Sequence, residues 1–403
     1  MINEYIKNNL PQTLRECKED DHPFFALPKP YNVPCASGMF QEMYYWDTYF
    51  TNRGLILDGD EEQAKNNTEN LMAMAERFGF VLNGNRAEFL NNSQPPFMSQ
   101  AVREVYEVTK DKAWLLSALP AIEKEYSFYT TSRNTEIGLS RYDAVMPISD
   151  SQKKRATEIL TNRLGYTPDV SGDELARGLY AVGESGWDIN PRMTYHAYDY
   201  AVADLNSLIY SIESNMEFFS LELGLLSDAD RWRSRKEKRA ELCRKYLKGE
   251  DGIFYDYDLV RGERTSLISA ASYYPLYFGM ANDEEARAAV DLLPRLETDW
   301  GIVTTERCEH IKGTFQWGYP NGWPPMQQIV VGGLLRYGYT EDAKRIARKF
   351  LSLMEKCFDE TGHLWEKYDV VKGSADALAE YETPSMLGWT YGTYRVFTKL
   401  LSK

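Results

Sequence analysis

DEEQAKNNTENLMAMAERFGF, residues Asp60 to Phe80, sets the reading of the fold. Acidic residues crowd its start and apolar residues return at helical spacing, which predicts an amphipathic helix packed on one side. The pattern recurs at about Pro96–Lys110, Ala113–Thr131, Ala201–Leu223 and Ser227–Leu247, with Ser227 as a candidate N-cap for the last. It returns near Ser266–Phe278, Asp283–Leu293, Pro324–Tyr337, Thr340–Lys356 and Pro384–Lys403. Runs with strand character are short, and GIFYDYD (Gly252 to Asp258) is the clearest.

Gly-, Asn- and Pro-rich loops separate these helices, notably LNGNRAEFLNNSQPP (Leu82 to Pro96) and GTFQWGYPNGWPP (Gly313 to Pro325). About a dozen helices of ~15 residues, joined by alternating short and long connections, consume the whole chain. That predicts an all-α toroid of paired helices, a single domain over residues 1–403, with 1–35 an N-terminal extension packed on it. No strict repeat is visible, and an α-solenoid fits the same periodicity. Solenoids, however, seldom gather Trp, Asp and Gly in their long loops, where rigid scaffolds carry their sites.

The 403 residues are 26% charged and 43% apolar, ordinary for a globular protein long enough to bury a substantial core. Aromatics reach 13%, with 28 Tyr and 9 Trp, whose flat faces and polar edges suit either a dense core or pyranose rings. A net charge of −14 speaks against nucleic acid, because nothing offsets phosphate repulsion. The basic run RWRSRKEKR (Arg231 to Arg239) is interrupted by Glu237 and reads as a solvated helix face. Cys17, Cys35, Cys243, Cys308 and Cys357 are an odd, scattered set without CxxC, as for reduced thiols in a reducing compartment. MINEYIKNNL lacks a basic stretch followed by an apolar run, and no eighteen-residue apolar stretch occurs, so neither a signal peptide nor a membrane span is expected. Together these predict a cytoplasmic enzyme, monomer or homodimer.

Two segments each place one carboxylate beside aromatic residues: GESGWDINPR (Gly183 to Arg192) and LWEKYDV (Leu364 to Val370). Hydrolysis of a glycosidic bond needs two such groups, one protonated and one ionised. Apolar neighbours raise a carboxyl pKa, which suits Asp188 between Trp187 and Ile189 to a general acid, and Gly186 lets a ligand approach backbone. Asp188 reads equally as a helix N-cap. Glu366, beside Lys367 and Tyr368, reads as an ionised base or as a surface Glu–Lys pair, with Glu380 as a second acidic candidate. Asp47, after Trp46 in MFQEMYYWDTYF, suits paired sugar hydroxyls, and QWGYPNGWPP (Gln316 to Pro325) reads as a sugar platform through Trp317 and Trp323. His22, His196, His310 and His363 are isolated, Asp251, Asp256 and Asp258 lack Ca²⁺-loop spacing, and no phosphate loop is present, so no metal and no cofactor is expected.

In this order, over nearly the whole chain, these segments resemble the trehalase family of glycoside hydrolases, whose fold is an (α/α)6 toroid. Gly38–Tyr49 is similar to the family's first signature, and Gln316–Pro325 to its second, QWDxPNGWxP. Asn83–Arg86 and Ser93–Pro96 match its NGNR…SQPP loop, Ser185–Asp188 its SGWD, Ala203–Asn206 its VDLN and Glu366–Val370 its EKYDV. The resemblance implies an inverting α-glycosidase acting on a small α-glucoside such as trehalose, with Asp188 as acid and Glu366 as base. It also implies sugar contacts from Trp46, Asp47, Asn83, Gln94, Gly186 and Glu380.

Three arginines of that family are missing: Met39, Asn92 and Met146 stand near their positions, and the QWD aspartate is Gly318. Met and Asn cannot reproduce the forked hydrogen bonding of arginine. Arg86 and Arg192 remain as candidates to supply that charge. GESGWDINPR also resembles the ESGxDNSPR segment of a sister group with the same toroid, which includes mannosylglycerate and glucosylglycerate hydrolases and processing α-glucosidases. The alternatives are therefore hydrolysis of another α-glycoside, such as glucosylglycerate or a non-trehalose disaccharide, or sugar binding without catalysis.

Overall fold

Amphipathic helices and helices buried on every side sort into two concentric sets. A computed structural model describes residues 1–308, 311, 313 and 315–402; His310 lies outside the described residues. In chain order the helices are α1 (Ile2–Asn9), α2 (Tyr45–Asp58), α3 (Glu61–Phe78), α4 (Met98–Thr109) and α5 (Lys112–Thr131). Then come α6 (Asp150–Leu164), α7 (Gly172–Glu184), α8 (Ala203–Glu222), α9 (Leu226–Tyr246) and the single turn α10 (Tyr274–Tyr277). The last four are α11 (Asp283–Leu292), α12 (Pro324–Arg336), α13 (Thr340–Thr361) and α14 (Gly388–Leu401).

The inner set is α2, α4, α8, α10, α12 and α14: each packs on the next, and α14 closes back on α2. α3, α5, α9 and α13 lie outside against this ring. This is the expected (α/α)6 toroid. α13 buries Ala343, Ile346, Ala347, Phe350, Leu353, Met354, Cys357 and Phe358, one stripe at spacings of one and three, the mark of an outer helix with one wet face. α2 buries an unbroken run from Tyr45 to Asn52, as an inner helix must.

That difference explains where the sequence reading failed. α2 carries no periodicity to detect, because it is apolar or buried all round. α6 and α7 form an excursion in the α5–α8 connection, packed on each other. α6 escaped notice because it buries only Ala156, Leu160 and Leu164. Ser227 is not a cap; α9 starts one residue earlier, at Leu226. The segment near Ser266–Phe278 yields only a 3-10 turn, Ala270–Tyr273, and α10. Gly252–Asp258 contributes one two-residue strand, Tyr257–Asp258, in a three-stranded antiparallel sheet with Tyr200–Ala201 and Glu263–Arg264. Within residues 1–35, Ile2, Ile6, Tyr31 and Val33 join the main core. The basic run on α9 is mostly solvated, but Arg239 turns inward to Glu213 at 2.9 Å. No described helix is long and apolar enough to cross a membrane.

Candidate active site

A cavity of about 630 Å³ opens where α2, α12 and α14 begin, and the loops before these helices and after α7 converge on it. Asp188 and Glu366 both line it, as do Trp46, Asp47, Asn83, Gln94, Gly186, Trp317 and Trp323.

The Asp188 loop is shaped by its backbone. α7 ends at Glu184, and Gly186 follows at φ +72°, where an added Cβ would stand 2.9 Å from Trp46 Cζ2 and 3.1 Å from Pro95 Cδ. Only glycine permits both the angle and the approach. Asp188 itself sits at φ +31°, a conformation that costs an L-residue energy and must be held by its surroundings. Asn190 holds it: its Nδ2 donates to the carbonyls of Trp187 and Asp188, both at 3.3 Å, and its Oδ1 accepts from the amides of Arg192 and Met193. No helix begins at Asp188, so the N-cap reading falls. Its side chain is 35% exposed, and Oδ2 lies 3.9 Å from Arg163 Nη1. Burial raises its pKa, while Arg163 and Lys367 pull it down.

Glu366 is not a surface residue. Its side chain is 3% exposed and Lys367 is fully buried beside it, with Nζ donating to Oε2 at 2.5 Å. The Tyr381 hydroxyl donates to Oε1 at 2.6 Å, and Trp389 Nε1 donates to the Glu366 carbonyl at 3.0 Å. Burial raises the Glu366 pKa; Lys367 and Tyr381 oppose that by donating to the ionised form, and Asp188 adds a small upward push. The Lys367 ammonium is itself held over the rings of Tyr381 and Trp323, at 4.6 and 5.0 Å. The two carboxyls thus share one cavity in unlike settings: one open to it and close to a cation, the other clamped by two donors.

Tryptophans make the floor. Trp317 stacks on Trp323 at 3.7 Å and on Trp187 at 5.8 Å, with Trp46 tilted against it at 5.5 Å and Trp389 edge-on to three of them. Trp323 Nε1 donates to the Gln316 carbonyl. Asp47 lines the cavity too; burial and the nearby Glu366 carboxyl push its pKa well up. Gln94 Oε1 accepts from the Trp46 amide, and Asn83 Nδ2 donates to the carbonyls of Ser93 and Gly183, tying the SQPP loop to the end of α7.

Two expected sugar contacts are placed elsewhere. Arg192 does not line the cavity: its guanidinium is fully buried, bound bidentate to Asp256 at 2.9 and 2.8 Å and to Asp204 at 2.8 Å, and lies 4.4 Å over the Trp187 ring. It pins the loop after Asp188 to α8. Glu380 also lies outside the lining, 2.9 Å from Arg163, and burial lifts its pKa to about 7. Of the residues near the missing arginines, Met39 and Asn92 line the cavity, whereas Met146 does not.

Sequence reasoning missed Arg163, Arg155, Tyr381 and Trp389, all of which line the cavity. It also missed Glu184, just before SGWD. Glu184 is fully buried, takes both prongs of Arg133 at 2.7 Å, and accepts from the amides of Ser93 and Asp143. Among the described residues no group of three His, Cys, Asp or Glu is arranged to hold a metal ion.

A helical toroid that carries two differently held carboxyls over a tryptophan floor is built as a glycoside hydrolase. The family model described as Trehalase matches residues 2–402. The periplasmic trehalase of Pseudomonas aeruginosa is 32% identical over 391 residues, 91% of this chain and 70% of that protein. The periplasmic trehalase of Escherichia coli O1:K1 is 31% identical over 421 residues, 97% of this chain and 72% of that protein. Among solved structures, the neutral trehalase of Saccharomyces cerevisiae superposes with a TM-score of 0.79 at 29% identity, over 92% of this chain and 73% of that one. The mannosylglycerate hydrolase of Thermus thermophilus in complex with glucose shares the fold, with a TM-score of 0.69 at 16% identity over 99% of this chain and 100% of that one. This chain belongs to the trehalase family.

These relatives correct the cytoplasmic expectation, since the curated ones carry the name periplasmic trehalase. The cysteines are a weak guide to compartment. Cys35, Cys243 and Cys357 are buried, and burial pushes Cys243 up to about 12 and Cys357 up to about 11. Thiols so far from ionising are inert, so they tolerate either compartment.

Proposed function

We propose that the protein hydrolyses trehalose, or a closely similar uncharged α-glucoside, with inversion at the anomeric carbon. Asp188 protonates the glycosidic oxygen, and Glu366 takes a proton from the water that attacks the opposite face. The carrying observation is the contrast between the two carboxyls. Asp188 is partly open to the cavity with burial raising its pKa, as an acid needs. Glu366 receives hydrogen bonds from Lys367 and Tyr381, which favour its ionised form, as a base needs. The inverting reading requires the carboxyls to stand roughly 6.5–9.5 Å apart with a water between. The curated relatives' names support both trehalose as substrate and the periplasm as compartment.

Met39 and Asn92, in place of arginines, favour a second reading in which the leaving group differs from glucose. The lining argues for an uncharged one. Arg86 is bound to Glu42, Arg155 to Glu88 at 2.9 Å, and Arg163 to Glu380 at 2.9 Å, so each lining arginine already has a carboxylate partner. An anionic aglycone such as glycerate would meet those carboxylates and the catalytic ones. Glucose release from trehalose, other α-linked disaccharides and glucosylglycerate is the test. Turnover of trehalose or another neutral disaccharide supports the proposal. Turnover of glucosylglycerate alone overturns it, and so does binding without cleavage at every pH tried.

A further inference from the structure

α6 lies outside the ring yet presents one face to the cavity. Gln152, Arg155, Ala156, Ile159 and Arg163 all line it. Their spacing of three, one, three and four puts them on one helix face about 100° wide, and Gln152 to Arg163 spans ~16 Å at 1.5 Å per residue. At one end of this face Arg163 stands beside Asp188, 3.9 Å from Oδ2. At the other, Arg155 crosses the mouth to Glu88 at 2.9 Å, and Gln152 Nε2 donates to Tyr180 Oη at 2.9 Å. Between them the partly exposed Ile159 offers an apolar surface, with the buried Ala156 behind it.

Position decides what this face can touch. A group donating a proton to the glycosidic oxygen sits at the junction of the two halves of the substrate, so whatever runs outward from Asp188 flanks the departing half. The tryptophan floor, Asp47 and Glu366 are all buried, which sets them on the inner side. We infer that this face of α6 is the leaving-group subsite, accepting an uncharged sugar. Arg155 and Arg163 hydrogen-bond its hydroxyls, and the Ile159 side chain meets its C–H face. One helix thereby supplies what Met39 and Asn92, set elsewhere on the wall, cannot. The inference rests on the hydrolase reading above and adds to it which element selects the leaving group.

The test compares two substrates that share the glucosyl half. α-Glucosyl fluoride releases only fluoride, so it makes no demand on the leaving-group subsite. The second substrate is the disaccharide that the wild type cleaves best. Ile159 and Arg155 are partly and largely exposed, so Ile159→Trp and Arg155→Ala are expected to fold. Ile159→Trp fills the subsite and should lower kcat/KM for the disaccharide at least tenfold more than for the fluoride. Arg155→Ala should move the same ratio several-fold, mainly through KM. Parallel losses on both substrates, or an unchanged ratio, would overturn the inference and leave the hydrolase reading standing. A wild type that cleaves the fluoride but no disaccharide also overturns it. A wild type inactive on both substrates would instead overturn the hydrolase reading itself.

Discussion

The floor of the cavity and its mouth are built on different terms. On the floor, Trp46, Trp317 and Trp323 are 1–2% exposed and pack together, Trp46 reaching the stacked pair from more than 250 residues away in sequence. At the mouth, Met39 is 41% exposed, the Arg155 side chain 63%, and α6 is anchored chiefly through Ala156, Leu160 and Leu164. A change in the floor disturbs many packed partners, whereas one at the mouth disturbs few. That asymmetry fits a chain in which Glu366 and the NGWPP loop sit on the packed side and Met39 on the exposed one. On the reading proposed above, packing fixes the residues of the chemistry, while those that select the leaving group are free to vary.

If the floor holds the chemistry, its carboxyls give the largest effects. Asp188→Asn and Glu366→Gln should each lower kcat by about two to four orders of magnitude, the usual worth of a positioned proton transfer. Far-UV circular dichroism and sugar-dependent tryptophan quenching should stay near wild type, because the amides still hydrogen-bond. A Glu366→Gln enzyme with near-normal turnover would pass the base role to another carboxyl. The next largest effect is on stability. Arg192→Met leaves Asp204 and Asp256 buried without their shared cation, a loss of about 3–5 kcal/mol. Urea unfolding checks it; a change below about 1 kcal/mol would contradict the role of Arg192 as a pin.

Arg192 also shows why part of the site could not be read from sequence. Its place in SGWDINPR, four residues after Asp188, suggested a sugar contact that supplies part of the missing arginines' charge, but the carboxylates that claim it lie 12 and 64 positions away. Arg163 was invisible for the converse reason: it reaches Asp188 across 25 positions of sequence from a polar helix with only three buried residues. What the sequence did disclose was local. Lys367 beside Glu366 announced a paired carboxylate, and it is found; Gly186, expected to admit a ligand, is closely approached by Trp46 and Pro95. Outer helices such as α3 and α13 were plain because one wet face imposes a period. α2 was not, because it has no wet face.

Smaller effects fall on the pH profile. As the proposed base Glu366 must be ionised, so activity should be lost as pH falls through its pKa. Lys367 depresses that pKa, and Lys367→Met should move the acidic limb to higher pH. As the proposed acid Asp188 must be protonated, so activity should be lost as pH rises through its pKa. Arg163 depresses that one, and Arg163→Gln should move the alkaline limb to higher pH, while the other limb stays. The carboxyls sense one another, so both limbs belong to the pair, but the direction of each shift does not depend on the apportionment. A shift of either limb to lower pH would contradict the roles assigned. The smallest effect belongs to the rim: Met39→Arg should change stability by less than about 0.5 kcal/mol, as exposed substitutions do. Its KM for a disaccharide is the sharper readout, and a change confined to kcat would blur the line drawn between floor and mouth.

The most direct test follows the sugar itself. Proton NMR during the first minutes of trehalose hydrolysis, before mutarotation, distinguishes the anomers released. Water attacking opposite the departing oxygen, with Glu366 as base, gives one β-glucose and one α-glucose in equal amounts. Release of α-glucose alone would mean retention through a covalent intermediate, and would contradict the roles proposed for Asp188 and Glu366.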